Sequence, residues 1–181
     1  MDSTGSGTVP VAARAEAVRG NADRTWVVAA LSAYAYLWTC RRVGARARTF
    51  GRPTLVNGGN VELGEDVVLD SRGGRIELAA GRRGRLAIGD GVRIGPSTRI
   101  LAARYVEIGD RTRIGAACLV SDAEGNDGSE IWIGDGVTLG DGVRVLPGTV
   151  IGAGAVVAPG VVLGGRIPAG AQVVAGADAA R

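Results

Sequence analysis

The stretch Ser121-Asp122-Ala123-Glu124, inside SDAEGNDGSE, places two carboxylates in a polar, turn-forming loop. Burial and crowding by other acids, here Asp127 and Glu130, can turn a carboxylate into a general base at neutral pH. Asp122 or Glu124 is the residue of this loop that can take the part of a base. The competing reading is a solvated turn, because Asp, Asn, Gly and Ser are turn formers. No histidine occurs in the 181 residues, so the commonest general base and the commonest zinc ligand are both missing. All 21 basic residues are arginine, which removes lysine as a base or Schiff-base former. Cys40 and Cys118 form no metal or disulfide spacing. No metal cofactor and a reducing, cytoplasmic location are the expectations.

The net charge of +3 is small and diffuse, so no nucleic-acid partner is expected. Three segments follow along the chain. Residues 1–21 are rich in Gly, Ser and Ala and read as a disordered tail. Residues 22–50 read as an N-terminal helix, running from Ala22 to about Val43, with a basic linker behind it. Its stretch TWVVAALSAYAYLWTC carries no charge, yet is short of the roughly 20 apolar residues of a membrane span. Two uses stay open for it. The helix packs on the body or a neighbouring subunit, or residues 24–52 make a peripheral membrane contact on the inner face, with arginines on anionic lipid.

Residues 51–181 form a repeat array. Ile133, Leu139, Val145, Ile151, Val157 and Leu163 are spaced by six without a gap. A small residue follows most of them, and Val137, Val143, Thr149, Ala155 and Val161 come four later. A period of six suits a short strand, a corner, and another short strand, with the aliphatic pointing inward. Glycine suits the tight corner. Three sides make a coil of 18 residues, and stacked coils share hydrogen bonds between parallel strands. The phrases VELGE, LAIGD, VEIGD and IWIGD begin at residues 61, 86, 106 and 131. These steps exceed one coil, so about five triangular coils are expected, with the extra residues emerging as loops after the third side. Asp70 to Gly84 reads as the first such loop, and Asp122 to Glu130 as the large acidic one. Cys118 falls at an inward, small-residue position. Trp132 alternates with Ile131 and Ile133 and points outward, either into a subunit groove or into solvent; Tyr105 carries the same ambiguity.

The passages FGRPTLVNGGNVELGEDVVLDS and IGDGVTLGDGVRVLPGTVIGAGAVVAPGVVLGGRIPAGAQVVAGADA resemble the hexapeptide-repeat acyltransferases, in the branch that O-acetylates sugars and polysaccharides. The resemblance covers about residues 51–179. It implies an all-β repeat fold, a left-handed parallel β-helix, with homotrimer assembly. It implies acetyl-CoA as acyl donor and a sugar hydroxyl or amine as acceptor. The family's catalytic histidine sits where this chain has Ala123, next to Asp122. The resemblance further implies cofactor-facing positions at Gly140, Asp141, Ala158 and Gly176. The family's Gly-Asn-Pro-Ala turn reads Gly176-Ala177-Asp178-Ala179 here. A positioned base is worth about 10²–10⁴ in rate. The alternative function is therefore a catalytically inactive trimeric scaffold or regulatory paralogue.

Overall fold

The alternation of inward aliphatics and corner glycines folds the chain into a three-sided parallel solenoid. The computed structural model describes residue 37 and residues 39–123 and 129–174. The expected tail, most of the expected helix, Glu124 and Gly176 lie outside the described residues. Twenty short strands form two seven-stranded sheets and one six-stranded sheet. Sheet A runs from Arg42–Val43 to Arg166–Ile167, sheet B from Arg48–Phe50 to Gln172–Val173, and sheet C from Thr54–Asn57 to Val162–Leu163. All pairings are parallel, and each joins a strand to the one a coil away. The expected class, an all-β parallel β-helix of triangular coils, is what the structure has.

The inward positions meet inside the prism. Ile133, Leu139, Val145, Ile151, Val157 and Leu163 are buried, and so are Val137, Val143, Ala155 and Val161. Each coil therefore contributes a thin slice of aliphatics that is covered only by the slices above and below, the economy of a repeat protein. Cys118 is buried among them. Buried Thr98 and Thr112 donate to the backbone oxygens of Gly115 and Gly134 at 2.8 and 2.9 Å, so no hydroxyl is left unpaired there.

Three expectations change. The coils number six complete ones and two sides of a seventh among the described residues, not about five. The solenoid starts before Gly51: Arg42–Val43 pairs with Glu62 and Leu63, and Arg48–Phe50 pairs with Val68, Leu69 and Asp70. This first coil is hidden in RVGARARTF because arginines fill its outward positions. The expected helix cannot reach Val43, since Arg42 and Val43 are strand residues. The third change concerns residues 70–84, which are not one loop. Glu77–Ala80 is a strand of sheet C, because Ile76, Leu78 and Ala80 alternate inward and are buried. RGGR thus turns the corner from sheet B to sheet C, and GRRGR the corner from sheet C to sheet A.

The basic stretch before Gly51 is built into the wall. Arg46 Nη2 lies 2.7 Å from Asp66 Oδ2, and Arg48 Nη2 lies 3.5 Å from Asp66 Oδ1. Among the described residues no helix is long and apolar enough to cross a membrane, and nothing in them supports the expected membrane contact. Leu37 is buried within the core cluster, with Cys40 packed against it, and Asn57 donates its amide to the Thr39 carbonyl.

Candidate functional site

The acid that ends each Gly-Asp phrase has a structural task. Asp90 Oδ1 accepts the Glu65 N–H at 2.7 Å, Asp110 Oδ1 the Asp90 N–H at 2.8 Å, and Asp135 Oδ1 the Asp110 N–H at 2.9 Å. Each corner carboxylate thereby satisfies a donor of the coil below it. Asp141, expected beside the cofactor, does the same at another corner, where its Oδ1 accepts the Ala116 N–H at 2.7 Å.

Asp122 is the extreme case. It has no exposed surface. Its carboxylate accepts the backbone N–H groups of Ala103, Arg104 and Tyr105, the latter two both at 2.8 Å on Oδ2. Three donors leave little of the carboxylate free to take a proton from a substrate. The geometry makes Asp122 an anchor for the corner of the preceding coil. Ser121 is buried beside it, and its Oγ accepts the Ala123 N–H at 3.2 Å. Glu124, the other candidate base, lies outside the described residues.

The anchored corner leads into Tyr105, the first residue of the sheet A strand Tyr105–Ile108. Across the coil boundary this strand pairs with Ile131–Ile133. The Tyr105 and Trp132 rings meet with centroids 4.8 Å apart and planes tilted by 45°. The Tyr105 hydroxyl donates to Glu107 Oε2. On its other side the Arg85 guanidinium lies 5.9 Å from the tyrosine ring centre. Arg85 Nη2 is 3.1 Å from Glu62 Oε2, and Asn60 Nδ2 donates to Glu62 Oε1 at 3.0 Å.

Electrostatics follow from these contacts. Burial, then the bond to Glu107 and the charges of Glu107 and Glu130, push the Tyr105 phenol up to about 12, against the pull of Arg85. The Asn60 amide, then the Arg85 guanidinium, hold the Glu62 carboxyl below its ordinary value. Sequence reading singled out Tyr105 and Trp132 only as outward residues. Their meeting depends on register across an insertion, which no local pattern reveals. Next to them a groove of about 700 Å³ runs along sheet A, with Glu62, Ala87 and Glu107 in its lining.

The other expected positions gather elsewhere. Leu139 pairs with Val157, so Gly140 and Ala158 stack on consecutive coils at the edge between sheets B and C, with Asp141 adjacent. A Cβ on Gly140 would lie 2.6 Å from Pro159 N; stacking of the coils alone accounts for this glycine. Gly176 lies outside the described residues. Asp122 stands at the edge between sheets C and A. Within one prism, sheet C separates the two groups. Burial pushes the Cys118 thiol up, which suits a core residue and not a nucleophile. Among the described residues no cluster of His, Cys, Asp and Glu could hold a metal ion.

Comparison with known proteins gives concordant results for the fold. Residues 130–165 match the bacterial transferase hexapeptide family model, six repeats. No curated protein matches the chain in sequence. Among solved structures the chain is similar to AntD, an N-acyltransferase from Bacillus cereus. One AntD structure, in complex with dTDP and coenzyme A, has a TM-score of 0.65 at 18% identity, covering 76% of this chain and 80% of that one. A second, with dTDP-4-amino-4,6-dideoxyglucose and coenzyme A, has a TM-score of 0.65 at 18% identity, covering 80% and 82%. At that identity the likeness speaks for the fold. The chain thus carries the bacterial transferase hexapeptide repeat at residues 130–165 and, over the described residues, has a three-sheet parallel β-helix fold.

Proposed function

We propose that the protein transfers an acyl group from acyl-CoA, with acetyl-CoA the expected donor, to an amine or hydroxyl of a sugar. The observation that carries this reading is the bacterial transferase hexapeptide repeat at residues 130–165, which follows the polar, acidic stretch Asp122 to Glu130 in the sequence. The N-acyltransferase AntD, which shares the fold, was captured with coenzyme A and with an amino sugar linked to dTDP.

An amine acceptor suits this chain better than a hydroxyl. A neutral amine attacks a thioester carbonyl without a side-chain base, while a hydroxyl needs its proton removed as it attacks. The chain has no histidine, and Asp122 is committed to three backbone donors. In the transfer, the amine nitrogen bonds to the acyl carbon, the carbon–sulfur bond breaks, and the thiol leaves with the proton the amine sheds. Positioning the two reactants supplies the rate, a contribution that reaches about 7–11 kcal/mol in well-oriented reactions. Glu124 remains a candidate for steering the departing proton.

The donor would lie along the small-residue edge of Gly140 and Ala158. The polyphosphate end of CoA needs cations, and the outward positions Arg93 and Arg113 on sheet B pair side by side near that edge. The acceptor loop is on another edge, so donor and acceptor come together between copies of the chain. A homotrimer satisfies this, with each groove completed by a neighbour.

Calorimetric titration with acetyl-CoA and with free CoA tests the reading. The expected result is saturable micromolar binding at about one site per subunit. Failure of both ligands to bind a folded oligomer at millimolar concentration refutes the transferase. The tight packing around Asp122 would then favour the second reading, an inactive scaffold that keeps the repeat and lacks a free base.

A further inference from the structure

Trp132 is 40% exposed, and it is the only described tryptophan. It stands on the outer face of sheet A directly after the Asp122–Glu130 insertion. Its neighbour across the coil is Glu107, and the Tyr105 ring lies tilted against it. The phenol takes one oxygen of Glu107. Val106 pairs with Ile131, so Glu130 falls beside Tyr105, and it is exposed. Ala87, paired with Glu107 on the other side, leaves room above the sheet in the same groove.

Each of these features fits a sugar ring. A pyranose has an apolar C–H face and a rim of hydroxyls. The flat aromatic ring takes the first, and fixed carboxylates accept from the second. Tyr105 cannot swing away, because its backbone is anchored by Asp122 and its hydroxyl by Glu107. The tyrosine ring lies tilted against the tryptophan ring, and 40% of Trp132 stays exposed. Such a preorganised aromatic face costs little ordering on binding.

We propose that the outer face of Trp132 is a pyranose-binding platform, with Tyr105 as its positioning residue and Glu107 and Glu130 as hydroxyl acceptors. The identity of that pyranose as the acceptor rests on the transferase reading; the binding itself does not. Asp122 then serves the site at one remove, by fixing the corner that carries Tyr105.

The test uses the full chain and methyl glycosides of glucose, galactose, mannose, glucosamine and N-acetylglucosamine, followed by saturation-transfer NMR. Expected is transfer to the ring C–H protons of at least one glycoside. Trp132→Leu keeps apolar bulk on the strand and removes the flat ring; it should weaken that binding about tenfold or more. Glu107→Gln, which leaves the ring in place, should weaken it less and alter which glycoside is preferred. The proposal is overturned if no glycoside gives transfer, or if Trp132→Leu binds as the parent does. It is equally overturned if Trp132→Leu lowers the number of subunits, since the ring would then be covered by a second copy. Sugar binding without CoA binding would sink the transferase reading and leave this platform standing. CoA binding with no sugar binding would do the reverse.

Discussion

Replacing Asp122 by Asn changes two atoms' worth of chemistry at a site without solvent. The carboxylate of Asp122 accepts Ala103 N–H on Oδ1 and the Arg104 and Tyr105 N–H groups on Oδ2. The amide can keep one oxygen on the Arg104 and Tyr105 pair, but its NH₂ then faces the Ala103 N–H, donor against donor. Hydrogen bonds to a charged group are worth about 1.5–3 kcal/mol, and an orphaned buried donor costs about 1–3 kcal/mol. Because the side chain is entirely buried, solvent screening gives no discount, and a loss of about 2–4 kcal/mol is expected. For a chain of this length each kcal/mol moves the midpoint by about 2–4 °C, so Tm should fall by roughly 4–16 °C. Native-state hydrogen exchange localises the effect: the amides of residues 103–105 should exchange about 30-fold faster or more. Asp122→Ala should cost more, since it strands all three donors. A Tm within a degree of the parent, with unchanged exchange at 103–105, would refute the anchoring role and return Asp122 to candidacy as a base.

Other perturbations read other parts of the structure. In an ultraviolet pH titration, one of the three tyrosines should ionise at about 12 and vanish in Tyr105→Phe; Glu107→Gln should bring it down only part of the way, because burial, the larger cause, stays. The folded state holds that phenolic proton where the unfolded chain has lost it, so the contribution is full below pH 10 and is lost as pH rises towards 12. A high-pH phenol that persists in Tyr105→Phe would refute the assignment. Two glycines separate backbone strain from packing. Gly154 has φ +70 and no atom within 4 Å of an added Cβ, whereas a Cβ on Gly134 would meet Ala153 N at 2.7 Å. Gly154→Ala should cost about 1 kcal/mol and Gly134→Ala up to about 3 kcal/mol; the opposite order in denaturant melts would contradict the corner geometry. Leu37→Ala, at a buried position of the core cluster, should cost about 2–4 kcal/mol; a neutral result would mean that Leu37 does not pack on the core.

The sequence alone determined the repeat architecture from Gly51 onward, except for the strand Glu77–Ala80, which read as part of a loop. Side chains alternate across a strand and a coil closes every 18 residues, so inward aliphatics recur at a spacing of six that survives without any tertiary knowledge. Ile133 to Leu163 were legible for this reason, and so were the inward Cys118 and the outward Trp132. The first coil was not, because Arg42, Arg46 and Arg48 obscure its alternation and its partners lie in the next coil. The sequence also marked the 122–130 insertion, with that at 70–84, as a place where the scaffold departs from its rule. What Asp122 does there was decided only by the tertiary structure. Its three partners lie 17 to 19 residues earlier, one coil below. Insertions of unequal length shift that vertical register, so a period counted along the chain cannot say which backbone donor sits under which carboxylate. The same physics hid the meeting of Tyr105 with Trp132, which stand on neighbouring strands with the insertion between them, and the corner acids that look like a charged motif and act as hydrogen-bond acceptors between coils.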